Sequence, residues 1–415
     1  MHKQESWSAE KVVLTFVAIV FVLVSGAWGA SEQVLYNFTG APTGMYPLAS
    51  LVFDGAGNLY GTTADGGNDK ACPSSGCGVV FELVPAAGGW TETVIHTFSR
   101  RDGAYPAAHL VFDHAGNLYG TTQFGGKNDM GVVFELTPAT GGGWTEKVLH
   151  SFTSGYDGGQ PAAGLAIDAA GNLYGTTEYG GARSKGVAFE LLPTSTGWKH
   201  KVLHSFGAHG VRPIGGLVLD QAGNLYGTTS EGGNREGHGL VFELTPKASG
   251  PWNEIVLYKF QGQPDGGKDG TDPMADLNFD GQGNLYGTTY RGGTHHGRGV
   301  IFKLTPSSGG TWTNTILHYA GRKGGCRYRS GLIFDNAGNL YGTATFGGGI
   351  GGGVVFRLTP TTSGFWKETV LHSFGGTEDG TEPVGGLVFD TAGNLYGTTV
   401  YGGTGGDGTL FEVTR

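Results

Sequence analysis

The 415-residue sequence predicts an all-β fold, a seven-bladed β-propeller of four-stranded antiparallel blades. Three observations carry this. The segment GNLYGTT begins at Gly57, Gly116, Gly171, Gly223, Gly283 and Gly393, and recurs as GNLYGTA at Gly338, with spacings of 59, 55, 52, 60, 55 and 55 residues. Each unit holds four short runs rich in Val, Phe, Tyr and Thr, and none has a sustained 3.6-residue period. The two ends complement one another. After an apolar leader the chain opens with VLYNF (Val34 to Phe38), which reads as a fourth strand with no first three ahead of it. It finishes with GTLFEVTR (Gly408 to Arg415), a third strand with no fourth. A linear solenoid wants capping repeats, whereas a ring is completed by such ends. The ring is therefore expected to close between Val34–Phe38 and Leu410–Val413.

The elements of one unit follow in order. GLVFD (Gly386 to Asp390) reads as the innermost strand and NLYGTT as the second. GVVFELTP (Gly131 to Pro138) reads as the third, and WTEKVLHSF (Trp144 to Phe152) as the outermost. The 81 Gly residues fall at fixed places between the runs, as turn punctuation. Asp54, Gly57 and Asn58, with their counterparts, read as the tight turn between first and second strands. Gly61 is expected to permit a close backbone approach. Simple alternation in the outer strand puts Trp144, Glu146, Val148, His150 and Phe152 on one face. Phe81, Phe134, Phe189, Phe242, Phe302, Phe356 and Phe411 are core candidates. Ala30 stands where other units carry Trp, so the closing blade should be the loosest.

At the start of the chain, Lys3 and Lys11 precede the run VVLTFVAIVFVLV (Val12 to Val24), and the small residues of SGAWGA follow. This is the layout of a secretory signal peptide, residues 1–29, with cleavage expected after Ala27 or Gly29 and the propeller over 30–415 as a single domain. The run is shorter than the roughly 18–20 residues a membrane span prefers, so no span is expected once it is removed. Export favours a disulfide between Cys72 and Cys77 in ACPSSGCG, while Cys326 has no evident partner. The formal net charge of −9, with no basic run, argues against nucleic acid as a partner.

The unit DxxGNLYGTTxxGG…GxVFELTP resembles the bacterial choice-of-anchor tandem GloVer-repeat family over essentially the whole chain after the leader. The resemblance implies an exported repeat protein and carries no established activity. Family members resemble surface proteins with a C-terminal anchoring segment; this sequence stops at Arg415, directly after the last strand, so release or non-covalent attachment is expected.

Repeated residues read as structure. His96, His150, His204, His318 and His372 recur in the outer strand, on separate blades of the rim, and are expected to hydrogen-bond a neighbouring turn beside the Trp. Asp54, Asp113, Asp168, Asp220, Asp280, Asp335 and Asp390 lack the several carboxylates of a calcium loop and read as turn caps. Asp265, Asp269 and Asp272 in PDGGKDGTDP fit no EF-hand spacing, and His295–His296 are adjacent side chains that converge poorly. No metal and no cofactor are expected.

Function is expected where the units differ, on loops carried by the ring. The position before the paired Gly holds Asp65, Phe124, Tyr179, Glu231, Arg291, Phe346 and Tyr401. With Tyr290 beside Arg291, and Arg327 and Arg329 in the loops after the fourth strand, these could form a binding platform. Those loops also carry Arg101, Tyr105, Tyr156, His209, Arg212 and Tyr328. The candidate ligand-binding set is Phe124, Tyr179, Tyr290, Arg291, Phe346, Tyr401, Arg327 and Arg329. The competing reading is that the aromatics only pack over the Gly-Gly turn. An exported, non-catalytic monomer that binds glycan or protein is the leading reading, in the periplasm, at the cell surface or outside the cell. A secreted polysaccharide lyase or hydrolase is the alternative, and it would need an acid–base constellation near the axis. No catalytic residue is identified: there is no nucleophile elbow and no unique carboxylate pair.

Overall fold

The computed structural model describes residues 30–415, except 68, 69, 71, 73, 74, 208, 263–267, 295, 296 and 363. The signal-peptide segment, Asp265 and the His295–His296 pair lie outside the described residues. Strand β1 (Ser31–Asn37) comes first. The first blade follows as β2 (Val52–Phe53), β3 (Leu59–Thr63), β4 (Val79–Ala86) and β5 (Gly89–Thr97), hydrogen-bonded in that order. The same antiparallel sheet is built seven times. In the last blade the fourth place is taken by β1, which pairs with the final strand Thr409–Thr414 from Ser31↔Thr414 to Asn37↔Thr409. The ring closes as the sequence predicts.

Each letter of the repeated segment has a distinct place. Gly57 sits at φ +89° in the turn. Asp54 Oδ1 accepts the Ala56 and Asn58 amides at 2.8 and 2.9 Å, and Oδ2 accepts the Asn58 side chain at 2.8 Å and the Tyr60 hydroxyl at 3.2 Å. Leu59 is fully buried, and Tyr60 crosses to the next blade, edge-on to Phe112 (5.2 Å) and Trp144 (5.9 Å). At Gly61 a Cβ would lie 2.5 Å from the Phe81 ring and 2.8 Å from Leu51. The close approach there is by these side chains, not by backbone as expected. Thr62 donates to the Ala108 carbonyl of the next blade at 3.3 Å, and Thr398 closes the circle onto Ala49 at 3.3 Å. Thr63 donates to the Asp65 carbonyl at 2.9 Å and so fixes the start of the following loop. Ala344, the one departure from the motif, lacks that hydroxyl.

The core lies between blades. Phe81, Phe134, Phe189, Phe242, Phe302, Phe356 and Phe411 are all fully buried, as expected. Two sequence expectations are corrected. Simple alternation fails in the outer strand, because a β-bulge follows Val148: Phe134 opposes Val148, whereas Val133 opposes His150. Trp144 and Val148 pack toward the first blade, while Leu149 and Phe152 pack toward the third. The closing blade is not left open where Trp is missing. The Arg415 guanidinium covers Tyr341 (4.9 Å) and Phe389 (4.8 Å) and pairs with Asp335 at 3.3 Å.

The bulge turns the outer-strand His toward the next blade, where it meets the residue two beyond the Trp. His150 stacks on His200 at 4.1 Å and binds Asp157 at 3.2 Å. His372 takes Asp379 at 3.1 Å, whereas His204 and His318 face Glu254 (3.7 Å) and Glu368 (3.5 Å) of the following blade. The partners are therefore turns for some and carboxylates across the interface for others, rather than turns beside the Trp throughout. In these seams Glu32, Glu92 and Glu146 are pushed up to about 7, chiefly by burial. The folded ring keeps protons there that the unfolded chain releases above its ordinary 4.5. Their contribution to stability is full at acid pH and is lost as pH rises through about 7. Replacing all three by Gln should thus raise the melting temperature near roughly pH 8 and leave it little changed near roughly pH 5. Equal shifts at both pH values would refute this assignment.

Candidate ligand-binding face

The loops after the second and fourth strands meet on one face, as expected. Each platform position pairs through its backbone with the loop leaving the previous blade: Met45↔Asp65, Ala104↔Phe124, Gly159↔Tyr179, Val211↔Glu231, Thr271↔Arg291, Cys326↔Phe346 and Thr381↔Tyr401. One residue beyond each of these loop partners, a non-glycine residue is held in the left-handed region. They are Tyr46, Tyr105, Gln160, Arg212, Asp272, Arg327 and Glu382, at φ between 55° and 61°. Each such conformation costs on the order of 1 kcal/mol. Both backbone groups are tied down: Tyr105 N–H donates to the Cys77 carbonyl of the previous blade at 3.0 Å, and its carbonyl accepts from Gln123 at 3.1 Å. Seven strained positions of uniform backbone thus carry markedly varied side chains on this face.

Inside that ring lies an axial funnel of about 270 Å³. It is lined by the segments entering the first strand of every blade, including Ser50, His109, Gly164, Asp276, Ser330 and Gly386. His109 Nδ1 and Asp276 Oδ2 approach to 3.6 Å across its floor, from the second and fifth blades. Glycines make this possible: a Cβ at Gly164 would strike the His109 ring, and one at Gly216 would lie 2.7 Å from Asp276. On the wall, Arg212 forks between Glu178 (Nε, 2.8 Å) and Glu231 (2.8 Å). Glu178 is only 7% exposed, and its hydrogen bond pushes the neighbouring Tyr179 hydroxyl up.

Of the eight residues chosen from sequence, five come together. Tyr290 is 9% exposed, and guanidinium groups from Arg291, Arg327 and Arg329 lie 5.5, 5.4 and 5.0 Å from its ring centre. Arg327 also lies 5.5 Å from the Phe346 ring. Burial alone pushes the Tyr290 hydroxyl up, but the Arg329 and Arg327 guanidiniums hold it below the usual phenol range. Phe124, Tyr179 and Tyr401 stay on their own blades, at 37%, 39% and 44% exposure. Phe124 meets Tyr105 at 6.0 Å and Tyr401 meets Tyr46 at 5.3 Å, both edge-on. Tyr328 is no surface residue, being only 1% exposed. Sequence reasoning missed His109, Asp276, Glu178 and Arg212 as a converging set. The available signal was variation just before each first strand, where Ser50, His109, Gly164, Gly216, Asp276, Gly331 and Gly386 are equivalent.

Several groups considered as metal ligands are committed elsewhere. The seven Asp residues cap their turns, each taking the Asn amide and side chain, as with Asp390 and Asn394. Asp269 accepts from Tyr258 at 2.7 Å, and Asp272 pairs with Arg291 at 3.2 Å. Among the described residues, His96, Asp102 and Glu146 bring ligand atoms within 4.8 Å of one another on the rim. The same three residue types meet again between the sixth and seventh blades as His372, Asp379 and Glu32, so the trio belongs to a contact between blades. Cys72 and Cys77 form a disulfide, and Cys326 is free and buried.

The family model described as the Gloeobacter/Verrucomicrobia repeat matches residues 22–166, 70–268 and 254–415. No curated protein matches the sequence significantly. Among solved structures, the chain resembles PorZ, a bacterial surface component of the type-IX secretion system of Porphyromonas gingivalis (TM-score 0.53, 15% identity). It also resembles the extracellular domain assigned to a hybrid two-component system of B. thetaiotaomicron (TM-score 0.50, 11% identity). The likeness covers 91% of this chain in both cases, but 47% and 40% of the other chains, so it spans less than half of either relative. At these identities the likeness is one of fold.

Proposed function

The chain belongs to the Gloeobacter/Verrucomicrobia repeat family, and from that premise we propose that it is an exported, non-catalytic propeller that binds a glycan or a protein across its loop face. The observation that carries this is the ring of seven strained, non-glycine positions, alike in backbone and varied in side chain. Export is supported by the leader and by a disulfide suited to an oxidising compartment. Among the described residues no helix is long and apolar enough to cross a membrane. The proposal places residues 1–29 as a cleaved signal peptide and 30–415 as one propeller acting as a monomer.

The purified chain from residue 30 should bind on a glycan array. Tyr179→Ala with Tyr401→Ala should weaken that binding by about fivefold or more, since each exposed ring offers a stacking face. Unchanged binding in the double variant would remove the aromatic platform from the proposal.

The His109–Asp276 pair favours one second reading, a polysaccharide lyase. A lyase needs a base to take the proton beside a carboxylate and a cation to hold that carboxylate. His109 and Arg329 share the funnel. Release of an unsaturated product from a uronate polymer, abolished by His109→Ala, would establish this reading over simple binding.

A further inference from the structure

The sixth blade breaks the repeat at one point, and the break faces the funnel. In six blades the left-handed residue is followed by proline: Pro47, Pro106, Pro161, Pro213, Pro273 and Pro383. The sixth has Arg327-Tyr328-Arg329 instead. Its cause lies eight residues upstream. The other outer strands end in a fully buried Phe, such as Phe98 against Phe134 at 5.1 Å, whereas here that place is Ala320. Tyr328 fills the gap, stacking edge-on to Phe356 at 5.5 Å. Burying Tyr328 leaves the flanking Arg327 and Arg329 exposed on the loop face.

Both guanidiniums are held in place there. Arg327 Nη1 lies 3.2 Å and Arg329 Nη2 3.5 Å from the Tyr290 hydroxyl. Two other arginines on this face are neutralised: Arg291 by Asp272, and Arg212 by Glu178 and Glu231. Among the described residues neither Arg327 nor Arg329 lies within ion-pair distance of a carboxylate. The adjoining groove adds Arg298, Arg322 and Lys323. On a chain of net charge −9 this is a local cationic sector, made of the planar forked cation that matches oxyanions. Holding such charges together unpaired is unfavourable, and an anionic group laid between them removes the repulsion.

We propose that Arg327 and Arg329, braced on Tyr290 at the mouth of the axial funnel, bind the carboxylate or sulfate of an acidic glycan. This rests on the reading of the loop face as a binding surface and names its ligand class. The half-buried Phe346 beside Arg327 and the exposed Phe124 and Tyr401 of the same face supply apolar surfaces for sugar rings. The acidic remainder of the chain opposes a long polyanion such as nucleic acid.

The test is calorimetric titration of the chain from residue 30 with trigalacturonate, maltotriose and an oligothymidylate. Trigalacturonate should bind, maltotriose at least tenfold more weakly, and the affinity for trigalacturonate should fall with added salt. Arg327→Ala with Arg329→Ala should weaken trigalacturonate binding by roughly tenfold to a hundredfold, as expected for losing charge-assisted hydrogen bonds. Lys199→Ala with Lys367→Ala, which removes the same charge from the exposed rim, should change it less than about twofold. Full binding by the arginine variant, equal losses in both variants, or tighter binding of the oligothymidylate would each overturn the proposal. Binding of maltotriose or other neutral glycans alone would overturn it while leaving the loop-face reading intact. Absence of binding to any glycan or protein would sink both.

Discussion

A chain that begins at Thr39 should lose the cooperative thermal transition of the parent and associate through its last blade. β1 supplies the fourth strand of that blade, and without it the final strand Thr409–Thr414 presents a row of unpaired backbone groups. Such an edge is a template for pairing with another chain. The loss extends to the core beyond it. Phe38 is fully buried, its N–H donates to the Gly408 carbonyl at 3.0 Å, and its ring meets Phe81 of the first blade at 5.1 Å. The point variant Phe38→Ala, which keeps the ladder, should therefore still cost about 3–5 kcal/mol in thermal or denaturant unfolding. A truncated chain that stays monomeric and melts with the parent would mean that closure contributes nothing to stability.

Gly120→Ala should be nearly as damaging, although it adds one methyl. The added Cβ would lie 2.5 Å from Cζ of Phe134 and 2.8 Å from Cδ2 of Leu110, both fully or nearly fully buried. Neither ring nor branch has space to withdraw in a seam packed from two blades, so a cost of about 1–3 kcal/mol is expected. The backbone at Gly120 is not left-handed, which leaves the clash as the whole effect. A cycle with Phe134→Leu separates the cause. The shorter side chain removes the clashing atom, and the penalty of Gly120→Ala should shrink by about 1 kcal/mol or more in that background. Additive effects would show that the ring does not set the requirement for glycine.

The fold was legible because the same physical demands are written seven times. Asp54, Gly57, Gly61 and Phe81 each meet a local need, and repetition separated these residues from the loops around them. The bulge at Leu149 was illegible, since an apolar residue at either face of an outer strand satisfies the pattern. Arg415 in the role of Trp was hidden because a cation and an indole cover a tyrosine equally well in space but not in letters. The site was legible only in part. Arg291, Arg327 and Tyr290 lie close enough in sequence or in repeat position to be linked. His109 and Asp276 belong to the second and fifth blades, and only the closed circle brings them together.

The split blade also sets a timetable for biosynthesis. Ser31 and Thr414, which hydrogen-bond at 2.7 Å, are 383 positions apart. At ribosomal speeds of about 5–20 residues per second, the earliest strand waits about 20–80 s for its mate. During that interval six near-identical third strands are made one after another, each an alternative mate for it. Each of those is served first by its own hairpin neighbour, whose short tether costs far less entropy to close. Only the last third strand lacks such a neighbour, so loop length rather than side-chain recognition directs the earliest strand to its correct berth.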